Sequence, residues 1–173
     1  MSAASLVLSI FPLALIAAAL SDVRRFIIPN WTSLLLIGGF LTAAVAAALT
    51  GGLGLWAFSL HLAVGLTCFA VGFGLWAFGL WGGGDAKLFA AAALWFDPTA
   101  AVMMTTYILL IGGGFGVLAL MALKFRFAIA QAIPAAGQID FEKYAKTAPY
   151  GVAIAAGALL ALPSSTLFIA LTS

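Results

Sequence analysis

The chain has 173 residues, 65% of them hydrophobic and 7% charged, with mean hydropathy +1.23 and a formal charge of +2. A soluble domain carries roughly a quarter charged residues, so this chain cannot cover a water-facing surface and reads as an integral membrane protein. Its basic residues are too few and too scattered for nucleic acid. Its one cysteine, Cys68 in an apolar run, allows neither an intrachain disulfide nor a Cys-x-x-Cys zinc site.

A helix crosses the hydrocarbon core in roughly 20 apolar residues. The first span is expected over 3–21, ending at Asp22. Ala17-Ala18-Ala19 could pass for a leader cleavage site. However, no positive stretch precedes the apolar run and Arg24 and Arg25 follow it, which reads as an uncleaved span with its N-terminus outside. A polar break, 21–30, leads to Pro29 at a plausible helix start, where its missing N–H is tolerated. Span 2 is expected over 31–49, stopping at Thr50-Gly51-Gly52, and span 3 over 55–80, up to Gly82-Gly83-Gly84. Span 4 begins near Asp85 and stops near Asp97-Pro98, and span 5 covers 100–123, ending at Lys124-Phe125-Arg126. Residues 124–148 form the longest loop, with room for a short interfacial helix, and span 6 covers 149–170. The expectation is an all-α polytopic bundle of about six transmembrane helices, a single domain over 1–173.

Charge placement gives an independent check on that topology. With six alternating spans, segments 21–30, 81–88 and 124–148 share one side. They hold Arg24, Arg25, Lys87, Lys124, Arg126, Lys143 and Lys146, all seven basic residues of the chain. The positive-inside rule makes that side cytoplasmic and puts both termini outside. Asp22 and Asp85 then lie at the same membrane face. Only 12 residues separate Asp85 from Asp97, about 18 Å of helix. That is too short to cross the core unless Asp85 is recessed or the Asp97 turn is sunken. Irregular glycine backbone at such depth is tolerated only against protein or a water-filled cavity, so the spacing points to a recessed, wet pocket.

Embedded acids persist mainly where they face a cavity or do a job. Asp22 and Asp85 are therefore the candidate catalytic pair. Two carboxylates brought close cannot both ionise cheaply and come to share one proton. The charged member can take a proton from water while the protonated member polarises a scissile carbonyl, with roles reversing as the amine leaves. The competing reading has each aspartate flank a helix beside its own basic neighbour: Asp22 with Arg24 or Arg25, Asp85 with Lys87. Lys87, two residues past Asp85, points away from that carboxylate on a helix; it either tempers the pocket's potential or snorkels to the headgroups.

Gly82, Gly83 and Gly84 either terminate span 3 or let backbone approach an extended peptide closely. A second triple, Gly112-Gly113-Gly114 with Gly116, has no acid beside it and reads as close helix packing. His61, in mid-span 3, reads as a neutral histidine bonded to a neighbouring helix. Asp97 reads as a turn residue, and Asp140 and Glu142 among Lys143 and Lys146 as a solvated face. No Ser-His pairing, His-x-x-x-His or phosphate loop is present, so no metal or cofactor is expected.

Asp22-x5-Ile28-Pro29-Asn30 followed by Gly82-x-Gly84-Asp85-x-Lys87-Leu88 resembles the paired signatures of type IV prepilin peptidases. Ala148-Pro149-Tyr150-Gly151-Val152-Ala153-Ile154-Ala155 is similar to that family's third short block. The resemblance implies an intramembrane aspartyl endopeptidase of the GxGD type, cutting prepilin leader peptides at the cytoplasmic face of the inner membrane, just before the hydrophobic segment. It makes Asp22 and Asp85 the catalytic pair, with Gly82 and Gly84 shaping the loop around the second; Asn30 and Lys87 belong to the same motifs. It also implies a pilus or secretion assembly as partner. Larger members carry a cytoplasmic domain with cysteine pairs and methylate the new N-terminus. This chain has neither feature, so no methyl transfer or S-adenosylmethionine is expected. Its size fits the short members that serve Flp-type pili, or a preflagellin-type relative. The rival readings are a small proton-coupled transporter, which would place acids at the bilayer midplane, and a non-catalytic assembly scaffold.

Overall fold

A computed structural model describes residues 3–125 and 150–172, and all regular structure among them is helical. In chain order the elements are α1 (Ala3–Arg25), α2 (Asn30–Leu49), α3 (Leu55–Ala77), α4 (Gly83–Ala93), α5 (Pro98–Lys124), α6 (Tyr150–Ala161), a 3-10 turn (Leu162–Ser164) and α7 (Thr166–Thr172). Most of the long expected loop, and the charges it carries, lie outside the described residues.

The boundaries follow local chemistry. Helix α1 stops where Phe26 takes the left-handed conformation, φ 52°, with its N–H still bonded to the Asp22 carbonyl at 2.8 Å. That conformation is uncommon for a bulky residue, and it reverses the chain within four residues so that α2 can run back beside α1. Extended Pro29 then leads into α2. Helix α3 ends three residues before the expected limit, unwinding into a turn with Gly79 at φ 73°. Helix α5 starts with Pro98 behind an Asp97 N-cap, an arrangement in which the proline lacks only a hydrogen bond the first turn could not make.

Six helices, α1 to α6, follow the six expected segments in order. By length and composition α2, α3 and α5 can each cross a membrane, and α6 with α7 makes a fourth candidate, bent by 57°. The bend falls at the 3-10 turn containing Pro163, a residue that cannot continue the helical ladder. Helix α4 has 11 residues, about 16 Å at the helical rise, well short of the hydrocarbon core. The chain is a multi-pass membrane bundle with one short helix inside it.

That short helix is the pillar of the fold. Ala86 and every residue from Leu88 to Ala93 are buried, and α4 packs on α2, α3 and α6. Its alanines let the neighbours close in, the packing logic of small residues in membranes. Beyond it, Trp95 and Phe11 sit with centroids 4.9 Å apart and Phe96 close by, and the Trp95 indole donates to the Leu36 carbonyl at 2.9 Å. Helices α5 and α6 meet through Gly112, which faces Ala153 and Tyr150, and Gly157, which abuts Ile108. The expectation that the whole Gly112-Gly113-Gly114 and Gly116 set makes close packing needs correction: the last three face open space. Successive helical residues point about 100° apart, so only one of the triple can face α6.

Candidate active site

Asp22 is in the last turn of α1 and Asp85 in the first turn of α4, and both carboxylates cap helix N-termini. Asp85 stands at the third position of α4 and accepts the Gly82 N–H through Oδ2 at 3.1 Å. This is the acidic half of a capping box, with a glycine where the reciprocating hydroxyl would be. Asp22 does the same job for another helix: its Oδ2 accepts the N–H of Gly151, second residue of α6, at 2.8 Å across 129 residues of sequence. The first amides of a helix have no partner within it, and an anion there is favourable. Each carboxylate thus has one oxygen held by a glycine amide. Among the described residues, the other oxygen of each makes no hydrogen bond, and neither aspartate joins an ion pair.

Among the described residues the neighbouring cations do not pair with these acids. Arg24, Arg25 and Lys87 are exposed. Lys87 donates to the Asn30 side-chain oxygen at 3.3 Å, tying α4 to the start of α2. Local neutralisation of each acid by its own basic neighbour is therefore not the arrangement found. Asp85 instead lies within electrostatic range of Asp22, which is 6% exposed.

Three glycines allow this convergence. A Cβ on Gly151 would lie 2.8 Å from Asp22 Oδ2 and 2.9 Å from the Ile28 side chain. A Cβ on Gly84 would lie 3.0 Å from Ile28 Cβ, and one on Gly82 would lie 2.9 Å from Asp85 Oδ2. Ile28 is thus wedged between the starts of α4 and α6, setting the spacing of the helices that present and cap the two acids. The wedge is itself held: the Ser21 hydroxyl donates to the Ile27 carbonyl at 2.8 Å. Trp81 closes one side, edge-on to Phe89 and 5.9 Å from the Tyr150 ring.

All the residues expected at the site, Asp22, Asp85, Gly82, Gly84, Asn30 and Lys87, fall in this one region. Gly151, Ile28, Ser21 and the Trp81–Tyr150 pair were not foreseen as part of it. The Tyr150-Gly151 pair at the head of the last expected span was the available signal for the first, because a glycine in the first turn of a helix leaves room for a partner at the helix amides. His61 and Asp97 lie at the far end of the bundle. His61 Nδ1 is 2.9 Å from the Leu94 carbonyl, which can only accept, so Nδ1 carries the proton and Nε2 faces the Thr166 hydroxyl at 3.3 Å. The bonding to neighbouring elements is what was expected of His61.

The sequence profile described as the type IV leader peptidase family matches residues 9–117. No curated protein and no solved structure matches the chain.

Proposed function

The chain belongs to the type IV leader peptidase family, and we propose that it is an aspartic member in which Asp22 and Asp85 together activate the water that cleaves a prepilin leader. Membership makes it a peptidase and implies prepilin substrates. The observation that supports the finer reading is the half-engaged state of the two carboxylates: each is fixed by a glycine amide and, among the described residues, each keeps an oxygen unspent and has no cation paired with it.

Fixed carboxylates suit the chemistry. A pair of close acids shares one proton. A water between them gives a proton to the ionised member, and its oxygen attacks the scissile carbonyl carbon. The protonated member donates to the carbonyl oxygen, giving a neutral tetrahedral diol. A proton then passes from one member of the pair to the leaving nitrogen as the C–N bond breaks, one diol hydroxyl returns its proton to the other member, and the diol collapses to a carboxylic acid with the pair again holding one proton. No step needs a group beyond the two acids and water. Gly82 and Gly151 hold the acids in register, and Lys87 with Asn30 joins the helices on either side.

The basic clusters support a cytoplasmic position for this site and cleavage on that side of an inner membrane. A proton-relay transporter is less well supported, because both acids cap helix ends instead of standing at mid-helix.

The test is co-expression with a prepilin, following its mobility shift. Wild type and Asp97→Asn are expected to process it, whereas Asp22→Asn and Asp85→Asn are expected to leave it whole. Processing that survives the loss of either embedded aspartate would overturn the aspartic mechanism.

A further inference from the structure

Beside the candidate site a groove opens in the side of the bundle. Helices α2 and α3 both pack on α4, but approach each other little, meeting chiefly where Phe40 stacks on Phe58 and touches His61 at the far end. Toward the site they diverge, leaving a cavity of about 530 Å³ over α4. Leu34 and Ile37 form one wall, Leu62 and Leu66 the other, and Ala90 and Ala91 belong to the α4 floor. A second cavity of about 310 Å³ adjoins it through the shared residues Phe69 and Lys87 and runs on to Trp76 and Gly83. Gly83 and Lys87 flank Asp85 in sequence, so the groove is continuous with the site.

The polar groups of the groove are confined to the end nearest Asp85. Asn30 and Lys87 are there, and Ser33 one turn further along α2. The Ser33 hydroxyl is buried, with the residue 6% exposed, and has no hydrogen-bond partner among the described residues. A serine inside a helix usually returns its hydroxyl to the carbonyl four residues back. Here that carbonyl, Pro29, already accepts the Thr32 hydroxyl at 2.7 Å. Leaving a buried hydroxyl unmet costs free energy, and Ser33, a residue that lines the groove, thus keeps an unspent donor just beneath its surface. Two other cavities at the bundle surface, one between α3 and α5 and one at the far end between α2 and α3, have no charged lining residue.

We infer that this groove receives the substrate polypeptide itself, sideways from the bilayer, with the apolar segment that follows the scissile bond lying against α2, α3 and α4. The inference rests on the peptidase reading above. A bond can be cut only where the chain is unwound, and unwound backbone in a membrane must find hydrogen-bond partners. Asn30, Ser33 and Lys87 supply them next to Asp85. Further along, the substrate is helical, its backbone satisfied internally, and the walls need only be apolar, as they are from Leu34 to Leu94. A lipid acyl chain would fill the apolar part but has no acceptor for Ser33.

The experiment uses the full-length enzyme in liposomes with two substrates: a complete prepilin, and a short soluble peptide that spans the cut but lacks the apolar segment. Leu34→Trp and Leu66→Trp narrow the groove from opposite walls, and Leu109→Trp, on the exposed face of α5, is the control. Each groove variant should raise KM for the complete prepilin about tenfold relative to the short peptide, with kcat little changed, which is the signature of lost binding. Separately, a photoreactive residue in the apolar segment should cross-link to α2 or α3 of Asp85→Asn, which binds without cutting. Equal effects on both substrates, or unchanged KM in both groove variants with no cross-link, overturn the groove. A cross-link in an enzyme whose Asp22→Asn and Asp85→Asn forms still cleave overturns the aspartic mechanism and leaves the groove standing.

Discussion

The two ends of the bundle use aspartate for the same local job and leave it in different states. At the far end Asp97 caps α5, and both its oxygens are engaged: Oδ2 faces the Ala100 N–H at 3.5 Å and Oδ1 accepts the Thr166 N–H at 3.2 Å. Around it the Ser165 hydroxyl donates to the Trp95 carbonyl and His61 bonds Leu94 and Thr166. Every member of that network is spoken for, and its effect is to rivet α3, α5 and α7 together. At the site end Asp22 and Asp85 cap helices too, but among the described residues each spends one oxygen, and Asp85 lies within electrostatic range of Asp22. The lesson is that a buried acid in a membrane bundle does not by itself mark a reaction centre. Unspent acceptor capacity beside a like charge is what supports the proposed role of Asp22 and Asp85.

Substitutions can break that contrast in order of expected size. Asp22→Asn and Asp85→Asn should each lower prepilin cleavage by about a thousandfold or more, read from the ratio of processed to unprocessed substrate. Their thermal melting in detergent should stay close to wild type, since the amide oxygen still accepts the glycine N–H. Asp97→Asn should cleave at nearly the wild-type rate. Gly151→Ala pushes a methyl to within 2.8 Å of Asp22 Oδ2. Displacing a reacting group by about 1 Å can cost about a hundredfold, so turnover should fall by one to two powers of ten while Asp22 remains chemically intact. The rate–pH profile should be bell-shaped, because the pair works only with one proton between its two members. Cleavage is lost at low pH when both are protonated and at high pH when neither is, and Asp97→Asn should leave both limbs in place. The smallest effect on turnover belongs to His61→Ala. It removes two hydrogen bonds and leaves a void, which should cost about 2–4 kcal/mol of stability, measured by melting, with activity per folded molecule unchanged. A far-end substitution that abolished turnover without unfolding would erase the distinction between the ends.

Much of this was legible in the sequence because charge in an apolar chain is conspicuous. The spans of α2, α3 and α5 stand out as uninterrupted apolar runs. The short reach of α4 follows from counting residues between Asp85 and Asp97. Asp22 and Asp85 declare themselves as acids next to glycine or between spans. What remained hidden depends on contacts between distant segments. The bond from Gly151 to Asp22 joins α1 to α6, and no local pattern encodes it. The bend between α6 and α7 was missed because Pro163 sits in a run apolar enough to read as one span. Ser33 passed unnoticed because a lone serine in an apolar helix ordinarily satisfies itself, and only the competition from Thr32 for the Pro29 carbonyl shows otherwise. The glycine triplets were equally visible, yet one brackets an acid and the other has a single packed member.

The tie between Asp22 and Gly151 also has a consequence for biogenesis. Asp22 leaves the ribosome 129 residues before the amide that holds it. Until α6 has been made and inserted, one of the two acids lacks its anchor and the wall that seats Ile28 is missing. A partly synthesised chain therefore has both acids but no assembled cleft. On the proposed mechanism, such a chain has not yet acquired the means to cut a neighbouring helix.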